Sequence, residues 1–267
     1  GERVLRHYTV PAAGEPGVET WSGTSYETGG APSWTYGAYD PDLDVLYWTT
    51  GNPSPDWNGD VRLGDNLFSD SVLAIDPDTG ERLWYFQFTP HDIWDYDVAS
   101  QPTLIDLVVS GQTRKAVVVP TKRAEIFVLD RETGEPLFEV MEKPVPQTSL
   151  PEERSAATQP FSTGMPTFQY PGIHEKDLFG ITPYDQIACR LTYKSLDYQG
   201  LMTPPSVQGT ILYPGPAGGM NWGSVAVDEE RHLMVVNSLQ LAYLIRMIPR
   251  EKDLITSKEG FSPGYGI

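Results

Sequence analysis

The sequence predicts an all-β protein that forms part of a β-propeller, and three observations carry this prediction. The 267 residues include 25 Gly and 24 Pro, and 11% of them are aromatic, which is typical of short strands joined by many turns. Two different strand–turn–strand repeats alternate along the chain. Together they supply about four antiparallel strands for roughly every 50 residues, which is the spacing of four-stranded propeller blades.

The first repeat is a β-hairpin with an Asp-x-x-Thr-Gly turn. Residues 74–86 read AIDPDTGERLWYF and residues 128–140 read VLDRETGEPLFEV, so Gly80 and Gly134 occupy equivalent positions. The aspartate side chain is suited to cap the turn, and the glycine is suited to a positive φ. Residues 1–5, GERVL, match the second half of the same unit. We therefore expect two hairpins, over residues 71–88 and 125–140.

The second repeat has the spacing Trp-x5-Asp, followed by a polar turn and an apolar strand. It occurs at residues 34–40 and again at 222–228. The chain therefore contains two nearly complete blades, at about 34–88 and 100–140, and portions of two more. Because a propeller closes with roughly four to eight blades, we expect the chain to be part of a ring. The strand pairs are expected at 36–50, 102–120 and 223–237.

The stretch 143–205 interrupts this rhythm and is expected to be a long excursion between blades. It is rich in Pro, Gln, Ser and Thr and has little periodicity. Long loops of this kind often cover a binding face. The alternative is a disordered insert, but several aromatic residues favour ordered packing: Phe161, Phe168, Tyr170, Phe179 and Tyr184.

The charge and the single cysteine exclude several classes of function. Lys and Arg number 19 against 36 Asp and Glu, so the net charge is −17. Nucleic acid and anionic membrane surfaces both need a basic footprint and are not expected partners. No apolar window of about 18 residues predicts a transmembrane helix. Cys189 cannot form an internal disulfide, and its neighbours predict a small core residue rather than a reactive thiol.

Three segments contain residues that could carry chemistry. Loop 51–60 follows a strand and is dense in Asn and Asp, which suit a hard cation such as Ca²⁺ but are also the residues of an ordinary turn. Segment 89–97 combines carboxylates, a histidine and aromatics; it could hold a general base with a raised pKa, or simply be an acidic loop over a packed tryptophan. Lys122 and Arg123 end a strand, where they could pair with a carboxylate, polarise a carbonyl or form only a surface ion pair.

These segments, in this order, resemble the pyrroloquinoline quinone (PQQ) dependent dehydrogenases, which are eight-bladed quinoprotein propellers. The resemblance covers nearly the whole chain and rests on GGAPSW at 29–34, LYWTTGNPSPDWNGD at 46–60 and FQFTPHD at 86–92. The turn that leads to Trp84 is similar to the tryptophan-docking motif of that family. The second copy of this turn has Phe138 in place of the tryptophan.

The second half of the chain resembles one branch of this family. KPVPQ at 143–147 and TPPSVQGT at 203–210 are similar to the membrane-bound glucose dehydrogenases, a branch that includes quinate and polyol enzymes. Segment 51–66 is closer to the alcohol dehydrogenase branch. The resemblance therefore leaves the substrate open.

The resemblance implies catalytic or cofactor-binding roles for four residues. Trp34 would form the aromatic floor under the PQQ ring, and Asp95 would remove the proton of the substrate hydroxyl group. Lys122 would face the quinone carbonyls and stabilise negative charge there. Alcohol enzymes have an arginine in the place of this lysine, so Arg123 is a further candidate.

The resemblance also implies metal and cofactor contacts. Asn52 and Asp95 would be ligands of a Ca²⁺ ion that polarises the quinone. Asn221 and Trp222 look like a further pair on the cofactor side. The other calcium ligand of the family, a glutamate, is expected upstream of residue 1.

The function implied by the resemblance is oxidation of a hydroxyl group of an alcohol, polyol or aldose by hydride transfer to PQQ. Electrons would pass to ubiquinone or a cytochrome c in the periplasm, with membrane association only through segments outside this chain. We expect the chain to be a fragment of roughly half a propeller and inactive by itself. The alternative is a non-catalytic propeller scaffold, which would have no need for this set together: Trp34, Asn52, Asp95 and Lys122.

Overall fold

The first sheet of the computed structural model is a complete blade. The structure describes residues 5–249 and residues 265–266. The strands of this sheet, hydrogen-bonded antiparallel in this order, are β1 (Ala38–Asp40), β2 (Val45–Thr49), β3 (Ser71–Ile75) and β4 (Arg82–Gln87). Strand β3 is buried along its whole length. The predicted blade at 34–88 and its hairpin are therefore confirmed.

The second sheet has three strands rather than the predicted four. Its strands, antiparallel in this order, are β5 (Thr103–Val109), β6 (Gln112–Pro120) and β7 (Ile126–Asp130). Beyond the turn, pairing is reduced to a bridge between Leu129 and Pro136 and a hydrogen bond from Leu137 N to Val128 O. Pro136 has no N–H to donate, so a regular fourth ladder cannot form there.

The remaining described strands form four two-stranded antiparallel sheets. They pair β8 (Val140–Pro144) with β9 (Thr158–Ser162), β10 (Thr210–Leu212) with β13 (Tyr243–Ile245), β11 (Val225–Asp228) with β12 (Leu233–Val236), and β14 (Ile248–Pro249) with β15 (Tyr265–Gly266). Three short 3₁₀ helices span Val18–Thr20, Ser25–Thr28 and Glu175–Asp177. The predicted strand pair at 223–237 is confirmed as β11 and β12.

Both copies of the hairpin repeat turn as predicted. Asp76 Oδ1 and Asp130 Oδ1 each accept hydrogen bonds from the backbone N–H groups two and three positions further along. Gly80 and Gly134 both have a φ of 75°. The aspartate cap and the left-handed glycine therefore set the geometry of each turn.

The second of these turns also joins the first two sheets, because Trp84 of β4 lies against it. Trp84 Nε1–H donates to the backbone carbonyl of Arg131 at 3.0 Å. A Cβ atom added at Gly134 would lie 2.6 Å from the indole ring. The close approach of the tryptophan therefore requires glycine at this position.

The first turn receives a smaller side chain in the same way. Leu5 is equivalent to Trp84 when the repeats are aligned, and its two methyl carbons lie 3.7 Å and 3.8 Å from a Cβ built on Gly80. Residues 1–4, the rest of that repeat copy, lie outside the described residues. Leucine thus takes the place of the docked tryptophan at this turn.

The main hydrophobic core lies between the first two sheets. Tyr47 and Phe88 pack with Val119 and Phe127, and all four side chains are fully buried. Burying a side chain of this size contributes about 1.5–3 kcal/mol. Tyr47 Oη also donates to the backbone carbonyl of Arg131 at 2.8 Å. This packing fixes the ends of β4 and β6 relative to each other.

The two ends of the excursion 143–205 pack beneath the loop that follows β4. Its residues Val145 and Met202 belong to a second buried cluster with Trp94 and Tyr96. Burial of both aromatic rings anchors that loop from below.

Helix α1 (Pro183–Lys194) lies within the excursion and was not predicted from the sequence. Thr182 and Asp185 form a capping box, with Pro183 in the first turn, which explains where the helix begins. The prediction that Cys189 is a core residue was wrong: it is exposed, because no residue of α1 is buried. Within the described part of the chain, no helix is both long and apolar enough to cross a membrane.

Replacing each turn glycine by alanine tests the docking contact. Gly80→Ala and Gly134→Ala both place alanine at the same positive φ, at a cost of about 1–2 kcal/mol. We expect Gly134→Ala to lose about 2 kcal/mol more, because its Cβ displaces Trp84. Urea unfolding of both variants measures the difference, and equal losses would contradict a tight contact between Trp84 and Gly134.

Candidate functional site

The loop after β4 turns around the carboxylate of Asp92. Asp92 Oδ1 accepts a hydrogen bond from Trp94 N at 2.8 Å, and Oδ2 accepts one from Tyr96 N at 2.7 Å. Between them, Asp95 has a φ of 60°, in the left-handed region that aspartate tolerates better than most residues. Trp94 and Tyr96 are buried, whereas the Asp95 side chain is 23% exposed. The loop therefore presents one carboxyl group from an otherwise buried segment.

Two hydrogen bonds tie this loop to the layer beneath it. Trp94 Nε1–H donates to the carbonyl of Thr203 at 3.0 Å, and Tyr96 Oη donates to the carbonyl of Pro214. Both acceptors lie at or just beyond the end of the excursion. The position of the loop is therefore fixed from the side opposite the exposed carboxyl group.

A fully buried charged group lies behind the loop. Arg62 Nη2 donates to the carbonyl of Asp92 at 2.5 Å. Burial raises the pKa of Asp92; burial and the charge of Asp92 together hold the pKa of Asp70 well above its usual range. Of these two buried carboxyl groups, Asp92 is the one that accepts hydrogen bonds from the two loop N–H groups.

Lys122, just beyond β6, brings Asp95 and Asp97 together. Lys122 Nζ lies 3.3 Å from Asp95 Oδ2 and donates to the Asp95 carbonyl at 3.0 Å, and it forms an ion pair with Asp97 Oδ1. Asp97 Oδ2 accepts a hydrogen bond from Trp34 Nε1–H at 2.8 Å. Lys122 and Asp97 are buried, whereas Trp34 is 51% exposed. These four residues, Trp34, Asp95, Asp97 and Lys122, form the lysine cluster.

Burial and the neighbouring charges shift the pKa values of Asp95 and Lys122. Burial, opposed by Lys122 and reinforced by Asp97, raises the pKa of Asp95 to about 7. Burial acts to lower the pKa of Lys122, but the charges of Asp97 and Asp95 outweigh it and raise that pKa. Asp95 can therefore exchange a proton near neutral pH while Lys122 stays charged.

Two other predicted site residues have different partners. Asn52 Nδ2 donates to Asp56 Oδ1 at 2.8 Å. Arg123 is fully buried, pairs with Glu125 at 3.0 Å and donates to the carbonyl of Pro160 at 2.6 Å. Arg123 therefore contacts Glu125 and Pro160 in the protein interior and not the residues of the lysine cluster.

The segment that contains Asn221 and Trp222 borders Lys122. Gly219 N donates to the carbonyl of Lys122 at 2.6 Å, and a Cβ on Gly218 would lie 2.6 Å from Lys122 Cγ. Asn221 is partly buried and Trp222 is 76% exposed. The two glycines therefore allow the chain before this pair to lie directly against the lysine.

The acidic, histidine and cysteine side chains of the described residues do not by themselves make a metal site. Their His, Cys, Asp and Glu side chains form no group of three that could hold a metal ion. Ca²⁺ takes about six to eight oxygen ligands, and Asn52 and Asp95 would supply only two side chains. Asp95 is also paired with Lys122. A calcium ion here would need several further oxygen ligands in addition to these two side chains.

The donor groups of the lysine cluster do fit a flat, anionic quinone such as PQQ. Trp34 offers a half-exposed aromatic face whose nitrogen edge is fixed by Asp97. Stacking on such a face suits a planar ring system. Lys122 offers an ammonium group to carbonyl or carboxylate oxygens of the ligand.

Sequence reasoning missed the role of Asp97. It counted this residue only among the carboxylates of segment 89–97. The spacing Asp95-x-Asp97 puts two carboxylates close together in sequence, but the left-handed backbone at Asp95 breaks the side-to-side alternation that an extended segment would have. That both carboxylates meet one lysine became evident only from the fold.

A buried pair links the excursion to the start of the same loop. His91 Nε2 lies 2.8 Å from Glu153 Oε1, and His91 Nδ1 lies 2.7 Å from the carbonyl of Gly64. Gly59 N donates to Glu153 Oε2 at 2.6 Å. Burial acts to raise the pKa of Glu153, but the hydrogen bond and charge of His91 outweigh it and lower that pKa. Glu153 thus holds two loops together.

The fold and the lysine cluster define a class of protein: a β-propeller with an aromatic, carboxylate and lysine site where two blades meet. A family model described as "PQQ: Glucose/ethanol/alcohol dehydrogenase, beta-propeller domain" matches residues 3–264. The chain belongs to this family of PQQ-dependent β-propeller dehydrogenases.

Several characterised proteins are similar to the chain. The quinate/shikimate dehydrogenase (quinone) of Acinetobacter baylyi is 38% identical over 251 residues, which are 93% of this chain and 31% of that protein. Quinoprotein glucose dehydrogenase A of Acinetobacter calcoaceticus is 38% identical over 96% of this chain and 33% of its own length. The glycerol dehydrogenase large subunit of Gluconobacter thailandicus is 38% identical over 90% of this chain and 32% of its own. The chain spans about a third of these relatives.

Solved structures agree with this assignment. A europium-containing methanol dehydrogenase has a TM-score of 0.57 and 28% identity, covering 84% of this chain and 33% of that one. The quinohemoprotein alcohol dehydrogenase from Comamonas testosteroni has a TM-score of 0.58 and 26% identity, covering 88% of this chain and 30% of that one. The arrangement of strands is therefore that of a partial quinoprotein propeller.

Glu153→Gln tests the link between the excursion and the loop. Because the folded-state pKa of Glu153 lies below the ordinary value of 4.5, its carboxylate stabilises the fold above that pH, and this stability is lost as the pH falls through the lowered pKa. We expect Glu153→Gln to lose about 1–2 kcal/mol at pH 7 and less at pH 3. Urea unfolding at both pH values measures this.

Glu152→Gln is the matched control, because Glu152 is the exposed neighbour of Glu153. Its substitution is expected to change stability by less than about 0.5 kcal/mol at either pH. A loss for Glu153→Gln that did not depend on pH would contradict a role for its charge.

Proposed function

We propose that the lysine cluster is the cofactor and substrate site of a quinoprotein dehydrogenase that oxidises a hydroxyl group of an alcohol, polyol or aldose. One observation carries the proposal: Lys122 lies between Asp95 and Asp97, and Asp97 also holds the indole of Trp34. A base, a cation and a flat aromatic surface are thus joined by direct contacts. This is the set of groups that proton removal and transfer of charge to a planar acceptor require.

Each residue of the lysine cluster has a defined part in this proposal. PQQ, when bound, supplies the acceptor of the hydride. Asp95 takes the proton of the substrate hydroxyl group at its carboxylate, so the substrate loses one proton and one hydride and becomes a carbonyl compound. Lys122 donates hydrogen bonds toward oxygens that gain negative charge. Trp34 carries the planar ring.

The candidate site residues outside the lysine cluster differ in how well the structure supports them. Asn221 and Trp222 follow directly after the two glycines that contact Lys122, and they remain candidate cofactor contacts. Arg123 has no part in it, because it is buried and paired with Glu125. Calcium ligation by Asn52 and Asp95 is proposed only together with several further oxygen ligands.

The relatives favour a polyhydroxy substrate. Their names specify quinate or shikimate, glucose and glycerol, and one name also specifies a quinone. We therefore propose a sugar, a polyol or a cyclic hydroxy acid as the preferred substrate class for this chain. Ubiquinone or a cytochrome c is the proposed electron acceptor, and the periplasm is the proposed location.

The alternative function is a non-catalytic propeller scaffold. Burying an ammonium group and a carboxylate beside a half-exposed tryptophan costs stability that a scaffold has no reason to lose. PQQ binding separates the two functions, because a scaffold needs no affinity for a flat quinone.

The function is tested in the longest natural protein that contains this chain. That protein is loaded with PQQ and Ca²⁺, and dye reduction is followed with a panel of alcohols, polyols and aldoses. Asp95→Asn removes the base at constant size, and we expect kcat to fall about 100- to 10,000-fold while PQQ stays bound. Asp78→Asn, an exposed carboxylate of a hairpin turn, is the control and should keep the wild-type rate.

The results of this experiment distinguish the dehydrogenase from the scaffold. Equal rates for wild type and Asp95→Asn would show that Asp95 is not the base. A wild-type protein without affinity for PQQ would favour the scaffold. We expect no turnover from the 267-residue chain by itself, because it spans only about a third of the length of the dehydrogenases it is similar to.

A further inference from the structure

Asp97 connects two groups that would contact a bound ligand. Its carboxylate oxygens have different partners: Oδ2 accepts from Trp34 Nε1–H at 2.8 Å, and Oδ1 is paired with Lys122 Nζ. Its side chain is only 2% exposed. One buried carboxylate therefore relates the orientation of an indole to the position of an ammonium group.

The backbone around Asp97 is fixed by the fold. Val98 N donates to the carbonyl of Thr50 at 3.3 Å, and Ala99 N donates to the carbonyl of Asp97 at 3.1 Å. Val98 itself belongs to the main core between the first two sheets. The core, rather than a flexible loop, thus sets where this carboxylate lies.

We propose that Asp97 is a positioning residue that sets the plane of Trp34 relative to the ammonium group of Lys122. Trp34 would then hold a flat quinone by stacking, and Lys122 would supply hydrogen bonds to its oxygens. The identity of the ligand in this inference rests on the proposed function. The placement of Trp34 and Lys122 around Asp97 does not depend on it.

Asp97 also keeps Lys122 in place while Asp95 is engaged. Asp95 is the more exposed of the two carboxylates, at 23% against 2%. When a substrate hydroxyl group binds to Asp95, the ammonium group retains its second carboxylate partner. Without Asp97, Lys122 would interact with Asp95 alone and compete with the substrate for its oxygens.

The geometric part is tested in the ligand-free chain by NMR. The indole N–H resonance of Trp34 is assigned by its loss in Trp34→Phe, and its exchange with water is measured. We expect exchange about 10- to 100-fold faster in Asp97→Ala, where the charged acceptor is lost. Asp97→Asn should give an intermediate rate, because one amide oxygen serves two donors.

Asp42→Asn is the matched control. Asp42 is an exposed carboxylate that pairs with Lys115 at 3.0 Å, so this variant also removes a carboxylate–lysine pair. It should leave the Trp34 resonance unchanged. If Asp97→Ala fails to fold, Asp97→Asn takes its place in the test, because its side chain has nearly the native size. Circular dichroism of Asp97→Asn checks that this variant is folded.

The functional part is tested by titrating PQQ into the longest natural protein that contains the chain. We expect Asp97→Ala to weaken PQQ binding about 10- to 100-fold, and Trp34→Phe to add little in that background. Unchanged indole exchange in Asp97→Ala and Asp97→Asn would overturn the positioning role, whatever PQQ does. Faster exchange with unchanged PQQ affinity would overturn the link to the cofactor. If wild type bound no PQQ, the proposed function would fail, and the indole measurement would still decide the role of Asp97.

Discussion

A single buried ammonium group holds the site together. Lys122 follows the second strand of the second sheet, whereas Asp95 and Asp97 lie in the loop after the first sheet. Taking such charges out of water is costly, and good pairing geometry has to compensate. The site therefore exists only when the two sheets are packed, which the docking of Trp84 and the core between the sheets ensure.

Support from below explains how the loop can present a carboxyl group from a left-handed residue. Asp92 accepts two backbone N–H groups of the loop, and Trp94 donates to Thr203 at the end of the excursion. Glu153 adds a charged contact at the start of the loop. A site held by packed side chains and hydrogen bonds on several sides is rigid, as precise placement of a ligand requires.

The hairpins were predictable because their signals are local, with aspartate and glycine at fixed places in each turn. The absence of a fourth strand in the second sheet also has a local cause, Pro136. The prediction followed the repeat pattern and gave too little weight to this proline. Asp97 was not predictable as a bridge, because Trp34 and Lys122 reach it from distant parts of the chain. The exposure of Cys189 was missed because apolar neighbours in sequence do not show whether a helix is covered. The other members of the site came from resemblance to a family, and the fold shows which of them meet.

The most direct test is a double-mutant cycle between Lys122 and Asp97, read as free energy of urea unfolding of the whole chain. Lys122→Met and Asp97→Asn each break a buried pair, and each should cost about 3 kcal/mol. If the shared ammonium organises the site, the double variant should lose far less than the sum, with a coupling energy of about 2 kcal/mol or more. Losses that add to within about 0.5 kcal/mol would contradict the account.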